Sequence, residues 1–242
     1  MSNIEYLRDQ FLKLNIDLTE EQCDQFMRFY DMLIEKNTVM NLTNITEYID
    51  VVEKHFLDSV CIKLLEGDFL DPSLHYKVLD MGTGAGFPGI PLSIIYSTWN
   101  ITLTDSLNKR VSFLNEVTNE LGLMNVNAIH SRAEDLGRDK NHREKYDLVL
   151  SRAVARLSVL SEYTLPFIKP GGYFIAYKSG DIESEIKEGQ TAVKKLGGSF
   201  EDTFYFTLPG TDINRSFVII KKKKNTPDLY PRKAGTPTKN PL

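Results

Sequence analysis

Apolar residues recur at helical spacing through the first part of the chain. One apolar stripe begins at Ile4, and the capping-box pattern of Thr19 and Gln22 predicts the start of a second helix. We expect Thr46 to cap a third helix, with an apolar stripe of its own. The pattern therefore predicts an N-terminal helical cap over residues 1–70.

After the cap, short apolar runs typical of strands alternate with helical segments. The predicted strands are residues 76–80, 101–104, 126–129, 146–150, 173–177, 200–208 and 216–220. This alternation favours an α/β fold of the Rossmann-like type over residues 71–222, with a mostly parallel seven-stranded sheet and helices on both faces. The last two strands have a short connection, so we expect that pair to be antiparallel.

The composition narrows the class of protein. With 242 residues and 41% hydrophobic content, the chain can form one α/β domain and an appendage. No apolar run reaches the roughly 18 residues that a membrane span needs, and the first residues do not have the layout of a signal peptide. Cys23 and Cys61 lie on predicted amphipathic helices, which favours reduced thiols. We expect a cytoplasmic protein that does not bind membranes.

Basic residues are concentrated at the end of the chain. Residues 221–242 hold seven basic side chains and one acid, whereas the whole chain has a formal net charge of −4. The Pro- and Gly-rich tail over residues 223–242 is not expected to form a core. We expect RNA to order this segment through phosphate contacts, although a solvated tail is the alternative. The candidate RNA-binding residues are Lys221, Lys222, Arg232 and Lys233.

A glycine-rich stretch follows the first predicted strand. Gly82, Gly84 and Gly86 form a G-x-G-x-G pattern, with Asp80 two residues before it. Such glycines let a backbone approach a ligand closely at the start of a helix. A dinucleotide site has the spacing G-x-G-x-x-G. The pattern here instead resembles the first motif of S-adenosylmethionine-dependent methyltransferases with a Rossmann-like fold, and a nicotinamide or flavin oxidoreductase is the alternative.

In a doubly wound sheet, ligands bind beyond the carboxyl ends of the strands. Asp105 ends the second predicted strand, where an acid can bind ribose hydroxyls, or it can cap the following helix. Ala133 and Glu134 follow the third strand, at the position that contacts adenine in the methyltransferase superfamily that the glycine motif resembles. The alternative is that Glu134 and Asp135 are only favourable first-turn acids of a helix.

The fourth predicted strand ends in Ser151-Arg152-Ala153. Enzymes that methylate exocyclic amines of bases usually have an Asn- or Asp-Pro-Pro-aromatic motif at this position. This chain does not have that motif here. A cysteine nucleophile for pyrimidine C5 is also missing from this loop. The remaining acceptors have a free lone pair, such as guanine N7 or a hydroxyl aided by a base. Arg152 could bind guanine O6 or a phosphate, or pair with Asp105 or Asp147 and only shape the loop.

Several motifs together resemble the ribosomal RNA small-subunit methyltransferase G family, also called glucose-inhibited division protein B. They are Asp80 to Pro91, Asp105-Ser106 with Lys109-Arg110, Ser151-Arg152-Ala153, Asn41-Leu42-Thr43, His55-x-x-Asp58-Ser59, and Tyr230 to Pro237. The resemblance implies a class I methyltransferase that uses S-adenosylmethionine to methylate N7 of one guanine in 16S ribosomal RNA. It also implies donor-site positions at Gly82, Phe87, Ala133, Glu134 and Arg152.

Two further expectations concern the remaining polar residues. His55, Asp58 and Ser59 share one face of the third predicted helix, and they either face the cleft or tie the cap to the core.

The other histidines show no metal-ligand spacing, so we expect no metal. We expect a monomer with ribosomal RNA or a ribosomal particle as its partner. A non-catalytic RNA-binding protein with this fold is a second alternative.

Overall fold

The computed structural model describes residues 1–152, 154–179 and 182–242. Its seven strands form one sheet in the order β3-β2-β1-β4-β5-β7-β6. The strands are β1 Lys77–Met81, β2 Asn100–Asp105, β3 Val126–His130, β4 Tyr146–Arg152, β5 Ile168–Lys178, β6 Gly198–Thr207 and β7 Asn214–Lys222. Strands β1 to β5 pair in parallel, and β7 is antiparallel to both β5 and β6. The predicted fold class is confirmed.

The strands carry apolar residues on both faces, because helices cover both. Successive residues alternate between two apolar clusters, as with Leu148 and Leu150 on one face and Val149 on the other. The helices that follow the cap are α5 Gly89–Ile95, α6 Asn108–Glu120, α7 Ala133–Leu136, α8 Leu157–Thr164, α9 Glu183–Lys195 and α10 Thr236–Lys239. Helices α5 and α6 lie on the face of Leu148, and α7, α8 and α9 on the face of Val149.

The N-terminal helices are α1 Asn3–Leu12, α2 Glu20–Met40, and a third helical stretch that starts with α3 Tyr48–Val51. Thr19 and Gln22 form the predicted capping box of α2. The expectation for Thr46 is wrong: Glu47 is the N-cap of α3, with no side-chain cap, and the Thr46 carbonyl accepts a hydrogen bond from Tyr30.

The third helical stretch is irregular. A π-helical segment, Val52–Leu57, follows α3, and α4 Asp58–Val60 and a 3₁₀ turn at Cys61–Leu65 complete the stretch. Wide turns of this kind often occur at functional sites.

The cap is packed onto the sheet through aromatic rings. Phe26, Phe29 and Phe56 are fully buried or nearly so, and Phe29 lies 5.3 Å from the ring of Phe87 in the glycine-rich stretch. Burial of each such ring contributes roughly 1.5–3 kcal/mol to stability. The cap and the sheet therefore share one apolar cluster. Within the residues that the structure describes, no helix has the length and apolar character to cross a membrane.

The C-terminal residues are packed against the sheet layer, which corrects the expectation of a tail without a core. Thr226, Tyr230 and Pro237 are buried. Lys222 is fully buried, and its ammonium group hydrogen-bonds the Leu165 carbonyl and the Thr226 hydroxyl. A side chain held in this way cannot contact a phosphate, so the prediction of RNA binding by Lys222 is wrong.

Candidate active site

The glycine-rich loop is held by the carboxylate of Asp80. Its Oδ2 accepts hydrogen bonds from the Thr83 hydroxyl at 2.6 Å and from the Gly89 amide at 2.8 Å. Burial raises the pKa of Asp80 to about 6, although both hydrogen bonds act in the opposite direction. Gly82 and Gly84 have φ angles of 71° and 63°, which favour glycine. The sequence pattern thus produces a tight loop at the carboxyl end of β1.

Asp105 joins this loop to the end of β2. Its Oδ2 accepts a hydrogen bond from the Gly84 amide at 3.1 Å and lies 3.2 Å from the Arg110 guanidinium. Its Oδ1 accepts from the Leu107 amide at 2.9 Å. The capping alternative is wrong, because the N-cap of α6 is Leu107 and has no side-chain cap; the contact of Asp105 with Leu107 belongs to the turn before the helix. The carboxylate of Asp105 also lines a cavity.

The cavity beyond strands β1 to β3, called here the β1–β3 cavity, has a volume of about 400 Å³. Four predicted donor-site residues line it: Gly82, Asp105, Ala133 and Glu134. The other lining residues are Met81, Thr104, Ser106, Arg110, Ser131, Arg132, Val154, Tyr163, Gly235 and Thr238. Gly84, Phe87 and Arg152 do not line it. Gly84 reaches its rim through the hydrogen bond to Asp105.

Among the lining residues that the sequence analysis did not assign to a site, Tyr163, Gly235 and Thr238 bring α8 and the C-terminal segment to the cavity. The Gly235 amide donates a hydrogen bond to Glu134 Oε1 at 2.9 Å, and the Tyr163 and Thr238 hydroxyls are 2.8 Å apart. The family motif from Tyr230 to Pro237 contains Gly235 and could have indicated that this segment lies at the site, but its basic residues were interpreted as RNA-binding. One oxygen of Glu134 is therefore already bound to the C-terminal segment.

Phe87 lies under the cap. Its side chain is 5% exposed, and its ring stacks on His55 with centroids 4.5 Å apart. The Arg152 guanidinium carbon lies 5.1 Å from the same ring. Phe87 thus connects the glycine-rich loop to the His55 face of the cap, and not to the β1–β3 cavity.

Arg152 is held by the cap. One terminal nitrogen donates to Asp58 Oδ2 at 2.9 Å and to the Lys54 carbonyl at 3.1 Å, and the other lies 3.2 Å from His55 Nδ1. The expectation that Arg152 pairs with Asp105 or Asp147 is wrong, because its acidic partner is Asp58 and those two carboxylates bind other groups. The polar face of the third helix therefore ties the cap to the core through a residue predicted for the site.

His55 is neutral in this arrangement. Burial lowers its pKa to about 3, and the nearby charge of Arg152 acts in the same direction. Because arginine can only donate, His55 Nδ1 accepts and Nε2 carries the proton, which is donated to the Thr43 hydroxyl oxygen at 2.8 Å. Thr43 belongs to the Asn41-Leu42-Thr43 motif, so two cap motifs act on the same arginine.

A second cavity, called here the β4–β7 cavity, lies beyond β4, β5 and the start of β7. Its lining residues are Lys54, His55, Asp58, Arg152, Tyr177, Lys178, Ser179, Glu185 and Arg215, around a volume of about 440 Å³. Asp58, which is 4% exposed, pairs with both Arg152 and Arg215. Arg152 lines this cavity and Val154 lines the other, so the two cavities flank the end of β4. Ala153, the third residue of the predicted motif, lies outside the described residues.

Comparisons with known proteins identify the family of this chain. The sequence model of a family described as rRNA small subunit methyltransferase G matches residues 22–209. The chain belongs to this family. A protein of that name from Desulforamulus reducens is 53% identical over 98% of this chain and 97% of its own length. Its counterpart from Lachnoclostridium phytofermentans is 52% identical over 95% of this chain and 93% of its own. The expected resemblance and the expected enzyme class, a methyltransferase, are confirmed.

Solved structures support the fold alone. TrmN from Thermus thermophilus superposes with a TM-score of 0.51 and 15% identity, over 71% of this chain and 53% of the other. The fibrillarin pre-rRNA processing protein of Methanococcus jannaschii gives a TM-score of 0.50 and 18% identity, over 65% of this chain and 71% of the other. This member of the methyltransferase G family thus has a class I methyltransferase core under a helical cap.

The predicted RNA-binding residues are scattered in this family member. Lys221 lies over the ring of Tyr173 at 5.2 Å, and Lys233 is exposed. Arg232 donates hydrogen bonds from Nε and Nη2 to the buried carboxylate of Glu162. No group of three or more potential metal ligands occurs among the residues that the structure describes. The β4–β7 cavity brings together four cations that the sequence analysis had not connected: Lys54, Arg152, Lys178 and Arg215.

Proposed function

We propose that this protein transfers a methyl group from S-adenosylmethionine to N7 of a guanine in 16S ribosomal RNA. The observation that carries the proposal is the pair of cavities on either side of the end of β4. One has the residue types of a nucleoside site, and the other is rich in cations. A methyl group passed from one ligand to the other would cross the edge of the sheet beside Arg152.

The residues of the β1–β3 cavity fit S-adenosylmethionine. Asp105 has a carboxylate on the cavity wall that can accept from ribose hydroxyls. Ala133 and Glu134 start α7, where backbone amides have no partner within the helix and can bind adenine. Met81 and Val154 supply apolar surface. When bound, the donor supplies an electrophilic methyl group on a sulfonium, and the chain's own part is to orient it.

The β4–β7 cavity suits a nucleotide acceptor. Lys54, Lys178 and Arg215 line it, and although each already pairs with a carboxylate, each has further N–H groups that can donate to phosphate oxygens. Arg152 Nε makes no hydrogen bond to any of the described residues, so it can donate to guanine O6. Guanine in a helix would have to unstack to enter. We infer that Arg152 contacts the reacting base.

The transfer needs no general base at the acceptor. Guanine N7 carries a lone pair and no proton, so alignment of donor and acceptor suffices for a one-step displacement. The neutral state of His55 agrees with this, since His55 serves to fix Arg152. The proposed setting is the cytoplasm, with ribosomal RNA or a ribosomal particle as substrate and a monomer as the active form.

The test is methyl transfer to defined RNA. Small-subunit RNA from a strain that lacks the enzyme is incubated with the protein and methyl-labelled S-adenosylmethionine, and the RNA is digested to nucleosides. We expect the label in 7-methylguanosine. Label on an exocyclic amine or on protein would overturn the proposal. The Arg152→Lys variant should lose most of the transfer, because lysine cannot keep the forked contacts to Asp58 and His55.

A further inference from the structure

The segment of residues 230–239, called here the strap, is held at its start by hydrogen bonds from Arg138 and Arg143 to the Pro231 and Tyr230 carbonyls, and next by a buried ion pair. Glu162 on α8 is fully buried, and its two carboxylate oxygens accept from Arg232 Nε and Nη2 at 3.0 and 2.7 Å. The Arg232 backbone amide also donates to Glu162 Oε1 at 2.6 Å. Such a forked, charge-assisted arrangement fixes orientation as well as position. The ion pair therefore fixes the backbone of the strap at Arg232, three residues before Gly235.

The strap then reaches the β1–β3 cavity at two points. The Gly235 amide donates to Glu134 Oε1, and the Thr238 hydroxyl bonds that of Tyr163. Tyr163 follows Glu162 directly in α8. Glu162 binds the strap through Arg232, and Tyr163 lines the cavity. The strap and α8 together thus contribute Tyr163, Gly235 and Thr238 to the wall of the cavity.

We propose that the strap is a fixed wall of the methyl-donor site and that Arg232 is a positioning residue acting through it. This inference rests on the proposed function, in which the β1–β3 cavity binds the donor. Arg232 does not line the cavity, so its effect on the donor is carried by Gly235 and Thr238. The Tyr163 and Thr238 hydroxyls are the strap-side polar groups that can meet the adenine edge, since one Glu134 oxygen is taken.

The experiment measures the affinity for S-adenosylhomocysteine by calorimetry, with the bound fraction and the unfolding midpoint recorded for each full-length variant. Arg232→Met removes the ion pair and keeps the length of the side chain. Arg28→Met is the matched control, because Arg28 pairs with Glu120 on an exposed surface away from the cavity. We expect Arg232→Met to raise the Kd at least tenfold and Arg28→Met to leave it unchanged.

A second variant leaves the ion pair in place. Gly235 has a φ of +80°, and Gly235→Pro removes both this conformation and the amide that binds Glu134. It should raise the Kd to a similar extent while the unfolding midpoint stays close to that of the parent. In turnover assays, both variants should raise the KM for the donor and keep kcat at saturating donor within about twofold.

The outcomes separate the two proposals. If Arg232→Met lowers only the unfolding midpoint and the bound fraction, with an unchanged Kd, the pair is merely structural and the inference is overturned. An unchanged Kd in Gly235→Pro overturns it as well, even where Arg232→Met does not fold. If Asp105→Asn weakens binding and the strap variants do not, only this inference fails. If wild-type protein does not bind S-adenosylhomocysteine, the proposed function fails.

Discussion

The guanidinium of Arg152 at the end of β4 lies 2.9 Å from the carboxylate of Asp58 in the cap, although 94 residues separate them in the chain. The other oxygen of Asp58 accepts from Arg215 at the start of β7 at 2.8 Å. One buried carboxylate therefore orients two cations of the β4–β7 cavity. The cap is joined to the end of β4 through this ion pair as well as through apolar packing.

Asp58→Asn should destabilise the protein and slow methyl transfer. The substitution leaves two mostly buried guanidinium groups without their shared counter-charge, which should cost about 2–3 kcal/mol. Transfer at saturating donor should fall at least tenfold, because Arg152 loses its orientation. Urea unfolding and the RNA assay measure the two effects. Asp9→Asn is the control: its ion pair with Lys13 is partly exposed and lines neither cavity, so its loss should cost less than about 0.5 kcal/mol. Equal effects of both substitutions would contradict this account.

Asp105→Asn should weaken donor binding while the fold persists. The amide oxygen can still accept from Leu107 or Gly84, but the negative charge facing the cavity is lost. We expect the Kd for S-adenosylhomocysteine to rise about tenfold, which corresponds to roughly 1.4 kcal/mol. Calorimetry measures this, with the unfolding midpoint as the check on the fold. An unchanged Kd would leave Asp105 with its turn contact alone.

The protein should become less stable as the pH falls into the mildly acidic range, because His55 is held neutral in the folded protein. The pKa of His55 is near 6.5 in the unfolded chain and about 3 in the folded protein. Between these values the unfolded chain binds a proton that the folded protein does not, so stability falls as the pH falls. From pH 7 to pH 5 this should cost about 2 kcal/mol.

The variant His55→Gln should lose this part of the pH dependence, because glutamine can still accept from Arg152 and donate to Thr43 without titrating. Urea unfolding at both pH values, compared with the exposed control His75→Gln, measures the difference. A loss in His55→Gln as large as in the parent would refute the assignment.

Lys222→Met should leave RNA binding unchanged, whereas Lys233→Met should weaken it. Lys222 is enclosed by the Leu165 carbonyl and Thr226, and burial lowers the pKa of its ammonium group to about 8. Lys233 is exposed. Loss of one phosphate contact should reduce the slope of log K against log salt by about one. Filter binding over a range of salt concentrations shows it. A reduced slope for Lys222→Met would restore that residue to the RNA surface.

Lys222 also shows what the sequence could have revealed. In a strand, alternate residues share a face, and Val218 and Ile220 both point into the cluster beneath α8 and α9. The next position on that face is Lys222, so the run of four lysines is split between core and surface. The strands themselves were predictable, because their apolar runs are continuous or alternate cleanly. The prediction of RNA binding by Lys222 relied on the basic charge of the lysine run and did not consider which face of the strand each lysine occupies.

Other features could not be predicted from local patterns. The pair of Glu162 and Arg232 joins residues 70 positions apart, and neither residue belongs to a motif that names the other. The same holds for Asp58 and Arg215, which are 157 positions apart. The position of both cavities at the carboxyl ends of the strands was predictable, because parallel strands end together. The partner of each polar group depends on the packing of the cap and the strap.

The shared carboxylate of Asp58 also constrains how this sequence can change over generations. Replacement of Asp58 by a neutral residue leaves two cations facing each other, so it should be tolerated only where one of positions 152 and 215 changes as well. If Arg152 contacts the acceptor as proposed, position 215 is the one free to vary with position 58. Across the family, substitutions at 58 and 215 should therefore be inherited together. A cap transplanted from a distant relative would need its matching β7 residue to support methyl transfer.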